Sequence, residues 1–203
     1  MAAPDSGMKG PVDFEQVTIN RLKDKASPTD LNFRDRLRTW WLLRNPRIRK
    51  GIHVTCKEGV EVSICETGHL AIGDYSFLHA RCWLLLTMPH PHVTIGKWVF
   101  VGRNTIVAAK NRIAIGDYTV IAPNCYIIDH EHGFAPTEVI LNQHSVLKEV
   151  AIGRDCYLGT GSVVLAGAAI GDGAIIGAGS VVTGNIPPYQ IWAGNPARFI
   201  RMR

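Results

Sequence analysis

The chain has 203 residues, of which 46% are hydrophobic and 19% charged, and its 22 Lys and Arg outnumber 17 Asp and Glu to leave a net charge of +5. This balance excludes a disordered polyelectrolyte, and no apolar run approaches the roughly 20 residues that a membrane-crossing helix needs. The length suits one hydrophobic core with appendages.

The first 26 residues are polar and without period and read as irregular, with a short helix or extended arm around Phe14 to Lys25 as the alternative. They contain neither the basic nor the apolar region of a secretory signal, which predicts a cytoplasmic protein. Asp30 is placed to cap a helix, and Phe33, Leu37, Trp40 and Trp41 recur at helical spacing up to Asn45-Pro46, which ends it. The economical expectation is that this aromatic face caps the open end of a repeat stack. The alternative is peripheral membrane contact through the 30–45 helix at the inner face of the membrane, with the tryptophans at headgroup depth. Arg34, Arg36, Arg38, Arg44, Arg47, Arg49 and Lys50 against one Asp35 account for more than the whole net charge. Such a stripe suits a phosphorylated ligand or an anionic surface, but no motif in the chain speaks for nucleic acid.

From Ile72 a six-residue period takes over. Leu78 and Leu84 follow Ile72 in phase, Thr87 to His92 breaks the register, and Ile95 restarts it through Val101, Val107 and Ile113. A two-residue slip leads to Ile115, Ile121 and Ile127, and residues 129–149 lose the register altogether. It then runs cleanly through Ile152, Leu158, Val164, Ile170, Ile176 and Val182. A period of six is neither helical nor that of a simple strand. It predicts an all-β solenoid, a triangular parallel coil in which each hexad supplies one face and its aliphatic residue points inward. The expected organisation is an N-terminal arm and helix over 1–50, the coil over 51–186 with a loop excursion at 129–149, and a tail over 187–203. Cys56, Cys65, Cys82, Cys125 and Cys156 lie in strand-like hexads without a CxxC pair, and read as buried structural thiols.

The chemistry is expected where the register is lost, at Asp129-His130-Glu131-His132. A histidine at the lip of the coil, ahead of a loop able to shield it, suits proton abstraction from a hydroxyl or amine. His53, His69, His79, His90, His92 and His144 read as surface or turn residues, and the two HxH pairs alone predict no metal site.

The hexads, the segment IGDYTVIAPNCYIIDHEHGF, the run IGRDCYLGTGSVVLAGAAIGDGAIIGAGSVVTGNIPP and the tail AGNPARFIR resemble the hexapeptide-repeat acetyltransferases of left-handed β-helix fold. Within these the chain is similar to the galactoside and maltose acetyltransferases and to O-acetyltransferases of polysaccharide biosynthesis. The resemblance implies a homotrimer, acetyl-CoA in the groove between neighbouring coils, and a sugar acceptor at a site shared by two subunits. It puts the catalytic histidine on His132, with His130 as rival, and an acceptor-binding residue on Asn104. Gly102 stands where an asparagine is expected. Thr160 and Ala178 fall on positions lining the pantetheine arm, and Thr183, Arg198 and Arg201 toward the nucleotide and its phosphates; Gly184 replaces the usual lysine. The alternatives are a zinc enzyme like the γ-type carbonic anhydrases and a non-catalytic assembly protein on the same coil.

Overall fold

The computed structural model describes residues 33–203; the arm around Phe14 to Lys25 and the cap at Asp30 lie outside them. The chain winds into a left-handed parallel β-helix of triangular section. Face 1 stacks Ile48–Lys50, His69–Ile72, His92–Ile95, Arg112–Ile115, Val150–Ile152, Ala169–Ile170 and Asn185–Ile186. Face 2 stacks Thr55–Cys56, Phe77–Leu78, Phe100–Val101, Val120–Ile121, Tyr157–Leu158, Ile175–Ile176 and Gln190–Ala193, closed by the antiparallel strand Arg198–Met202. Face 3 stacks Glu61–Ile64, Trp83–Leu86, Ile106–Ala109, Tyr126–Ile128, Val163–Val164 and Val181–Val182. The inward residues from Ile72 to Val182 are all buried, and a second file at Leu70, Leu86, Val93, Ile113 and Val150 fills the remaining core.

Close approach of successive coils explains the glycines that follow the inward aliphatics. A Cβ on Gly116 would lie 2.6 Å from the carbonyl carbon of Gly153, and one on Gly102 would lie 2.5 Å from that of Ala122. No side chain fits at position 102 without moving backbone. In three coils the aspartate after such a glycine receives an amide of a neighbouring coil, Ile52 to Asp74, Lys97 to Asp117 and Arg154 to Asp172, at 2.7–2.8 Å.

The register breaks have one location. Face 2 partners stand 22 residues apart from Cys56 to Leu78, 23 to Val101, 20 to Ile121, 37 to Leu158 and 18 to Ile176. Inside each of these coils the inward residues keep six-residue steps, so every residue beyond 18 enters between face 3 and the next face 1. The sequence breaks at Thr87 to His92, at the two-residue slip and at 129–149 therefore pile up on a single corner. The longest is a hairpin, with His130–Glu131 antiparallel to Val146–Leu147. Gln143 ties its far end together, accepting from the Ala135 amide and donating to the Ala135 and Glu138 carbonyls.

Helix α1, Phe33–Leu42, corrects the expected orientation. Its aromatic face points outward, with Leu37 53%, Trp40 57% and Trp41 59% exposed, while Asp35, Thr39 and the following Leu43 are buried. The physical reason is the unpaired backbone at the end of a parallel stack. The Cys56 amide, with no coil beneath it, donates to Thr39 Oγ1 at 2.9 Å. Asp35 accepts from Arg38 and Lys57 at 2.7 Å each. Burial raises the Asp35 carboxyl, but hydrogen bonds and charge from Lys57 and then Arg38 outweigh it, leaving the group below its usual value.

The cysteines serve packing. Cys82, Cys125 and Cys156 occupy the small inward site two residues before an aliphatic, where other coils carry Ser76, Thr105, Thr119, Ser162 and Ser180. Burial pushes the Cys56 thiol up to about 12 and those of Cys82 and Cys156 to about 11. Only Cys65 is partly open. A thiol reagent added to native protein is expected to modify Cys65 promptly, and the other four only after unfolding. Rapid labelling of two or more thiols would contradict this packing.

Candidate functional site

The corner between faces 2 and 3 carries one line of residues, locked coil to coil through their backbones. The Arg81 amide donates to the Glu58 carbonyl, Asn104 to Ala80, Asn124 to Arg103, Gly161 to Pro123 and Gly179 to Thr160, at 2.8–3.1 Å. Arg81, Asn104 and Asn124 and the glycines 161 and 179 all take the left-handed conformation that turns the chain here. Asn104, Thr160 and Ala178 thus share one corner, all exposed. Asn104 Nδ2 donates to Asn124 Oδ1 at 3.0 Å. Beside Asn104 opens a cavity of about 720 Å³ lined by Glu58, Glu61, Arg81, Trp83 and Arg103. At the Thr160 and Ala178 level the corner is bare, since a Cβ on Gly161 or Gly179 would meet nothing within 4 Å.

His130 and His132 occupy the other edge of face 3, the corner where all the extra residues enter. Asp129 is fully buried there. Its Oδ1 accepts from the Lys110 amide and its Oδ2 from that of Asn111, both at 2.8 Å, and His130 Nδ1 lies 3.0 Å from Oδ1. With Nδ1 donating to the carboxylate, His130 Nε2 is left as an acceptor. The His132 ring is exposed and makes no hydrogen bond among the described residues. His90, His92, Asn111, Arg112 and Glu149 line a further cavity of about 290 Å³ on this corner. Among the described residues no three His, Cys, Asp or Glu side chains are grouped to hold a metal ion.

The remaining expected residues separate. Thr183 and Arg198 meet at the last coil, where with Gly184, Trp192 and Ala197 they line a cavity of about 160 Å³. Arg201 stands apart on the outer strand, opposite Ile191. Within one chain, therefore, neither His130 nor His132 faces Asn104, because the two corners bound opposite edges of face 3.

Sequence reasoning missed Glu58, Glu61, Arg81, Trp83 and Arg103 as a group, since they come from successive coils and only coil stacking brings them together. His79, read as a turn residue, lies at the same corner and stacks edge-on near Phe77 and Phe100. Burial first, then the charges of Arg103 and Lys57, lowers its pKa. Its Nδ1 accepts from the Ala80 amide at 2.7 Å, so the neutral ring carries its proton on Nε2 and serves as a donor.

Residues 149–184 match the family described as bacterial transferase hexapeptide (six repeats). The chain is 32% identical over 173 residues to a probable acetyltransferase of Mycobacterium tuberculosis, an alignment covering 82% of this chain. The chain spans 57% of that relative's length. An N-acyltransferase from Bacillus cereus, crystallised with dTDP and 3-hydroxybutyryl-CoA, shares the fold at a TM-score of 0.67 and 19% identity, covering 85% of this chain and 89% of its own. A hexapeptide-repeat containing acetyltransferase from Vibrio cholerae gives a TM-score of 0.54 at 19% identity, covering 95% and 94%. The repeat, the coil it builds and these likenesses together identify residues 149–184 as bacterial transferase hexapeptide repeats, in a chain similar over most of its length to a hexapeptide-repeat acetyltransferase.

Proposed function

We propose that the protein transfers an acetyl group from acetyl-CoA to a hydroxyl or amine of a sugar-containing acceptor, in the cytoplasm. The observation that carries this reading is the alignment of Asn104, Thr160 and Ala178 on one bare corner, beside a cavity lined by arginine, carboxylate and Trp83. Small residues let a pantetheine arm approach the backbone, and Trp83 with Glu58, Glu61 and Asn104 suits an acceptor that is apolar on one side and rich in hydroxyls on the other. The Mycobacterium tuberculosis relative, a probable acetyltransferase, and the Bacillus cereus N-acyltransferase, with its bound acyl-CoA and dTDP, support the donor and a nucleotide-linked sugar among acceptors.

His132 acts as general base. It takes the proton from the acceptor oxygen or nitrogen as that atom bonds to the thioester carbonyl carbon, and a backbone amide of the groove steadies the oxyanion. Collapse breaks the C–S bond, and the imidazolium returns the proton to the departing thiolate, releasing CoA. Because the histidine corner and the Asn104 corner bound opposite edges of face 3, the reading requires a homotrimer in which the hairpin corner of one subunit meets the Asn104 corner of its neighbour. Thr183, Arg198 and Arg201 then receive the nucleotide end, where the arginine fork suits phosphate. A second reading, favoured by the Asp129 contact, makes His130 the base and leaves His132 to the acceptor.

CoA release measured over amino sugars, neutral sugars, nucleotide sugars and chloramphenicol identifies the acceptor. With the best of them, Ala178→Trp is expected to raise the KM for acetyl-CoA at least about tenfold by filling the groove, with little effect on stability because the position is exposed. An unchanged KM would remove the groove from the reading.

A further inference from the structure

The outward face of α1 is apolar, and among the described residues the exposed charges on the helix and on the strand that follows it are all positive. Leu37, Trp40 and Trp41 are each more than half exposed, and Phe33 at the start of the helix is 77% exposed. On a helical wheel Arg34 and Arg36 flank this face, Arg44 follows it, and Arg49 and Lys50 lie on the adjoining strand, all five exposed. The only carboxylate between residues 33 and 50 is Asp35. It is buried on the opposite side, against Arg38 and Lys57, so it does not neutralise the exposed cations. The Arg44 guanidinium lies 5.4 Å from the centre of the Trp41 ring, beside the apolar surface rather than over an acid.

We propose that this face docks on an anionic lipid bilayer, with α1 lying in the interface, the tryptophans at headgroup depth and the arginines on lipid phosphates. Exposed tryptophan paired with cations is the composition of an interfacial helix. Charge decides the occupant. A second copy of the same face would set cations against cations across the contact, whereas an anionic surface satisfies them all at once. The helix is anchored from behind by the Thr39 and Asp35 contacts and by Leu43, so docking leaves the coil unchanged. Docking of this kind would bring the coil to a membrane-borne acceptor, but the inference stands apart from the acyl-transfer reading and its test measures no activity.

The test is co-sedimentation of the full chain with vesicles of phosphatidylcholine alone and of phosphatidylcholine with phosphatidylglycerol. Binding is expected to the anionic vesicles only and to weaken as salt is raised. Trp40→Ala with Trp41→Ala is expected to lower partitioning by about tenfold or more, and Arg34→Gln and Arg36→Gln by about fivefold each. All four positions are exposed, so melting temperatures should hold. Absence of binding to anionic vesicles at low salt, or partitioning unaffected by the tryptophan pair, would overturn the proposal. So would a fall in oligomer mass in the tryptophan variant, which would make the face a subunit contact, or equal retention on an RNA homopolymer.

Discussion

Replacing His132 by Ala is expected to lower kcat for acetyl transfer by about 10² to 10⁴, the usual contribution of a positioned general base, while the KM for acetyl-CoA changes little. The ring is exposed, and no hydrogen bond to it among the described residues would be broken, so stability should hold and the loss can be read as chemistry. The informative control is His130→Ala. Its ring is held to the buried Asp129, and removing it should loosen the root of the hairpin and cost turnover less steeply. If His130→Ala abolishes turnover and His132→Ala leaves it near wild type, the roles are reversed and Asp129 becomes the group that orients the base. A pH–rate profile of whichever variant survives separates positioning from proton transfer.

Asp129→Ala is expected to be the most destabilising single change at the histidine corner, by about 3 to 5 kcal/mol in chemical denaturation. Three hydrogen bonds end on its carboxylate, and the Lys110 and Asn111 amides would be left without their acceptor. Its backbone stays useful, since the Lys148 amide donates to the Asp129 carbonyl at 2.9 Å and ties the returning chain to the coil. Asp129→Asn, which keeps one acceptor oxygen, should lose about half as much. A loss below about 1 kcal/mol for the alanine variant would mean that solvent replaces the carboxylate at this corner.

Much of this was legible in the chain itself. The six-residue recurrence named the inward residues from Ile72 to Val182 correctly because every hexad meets the same requirement, an aliphatic residue pointing into a narrow core. The breaks in register also marked the histidine corner, although only as three unrelated interruptions. Their coincidence depends on a rotation about the coil axis that no linear spacing expresses. The residues around the cavity beside Asn104 were hidden for the same reason. Glu58, Arg81 and Arg103 stand about 22 residues apart and meet only because successive coils stack.

By itself the sequence determined the repeat, the inward file and the small inward sites that Ser, Thr and Cys share, since each follows from one periodic packing rule. The tertiary structure decided two matters. It put the Asn104, Thr160 and Ala178 line and the DHEH segment on opposite edges of one face, which is why the proposed acyl-transfer site draws on a second subunit. It also turned the aromatic side of α1 outward. Residue polarity predicts the reverse, but the end of a parallel coil presents unpaired backbone amides rather than an oily surface, and Thr39 and Asp35 meet that need better than Trp40 and Trp41.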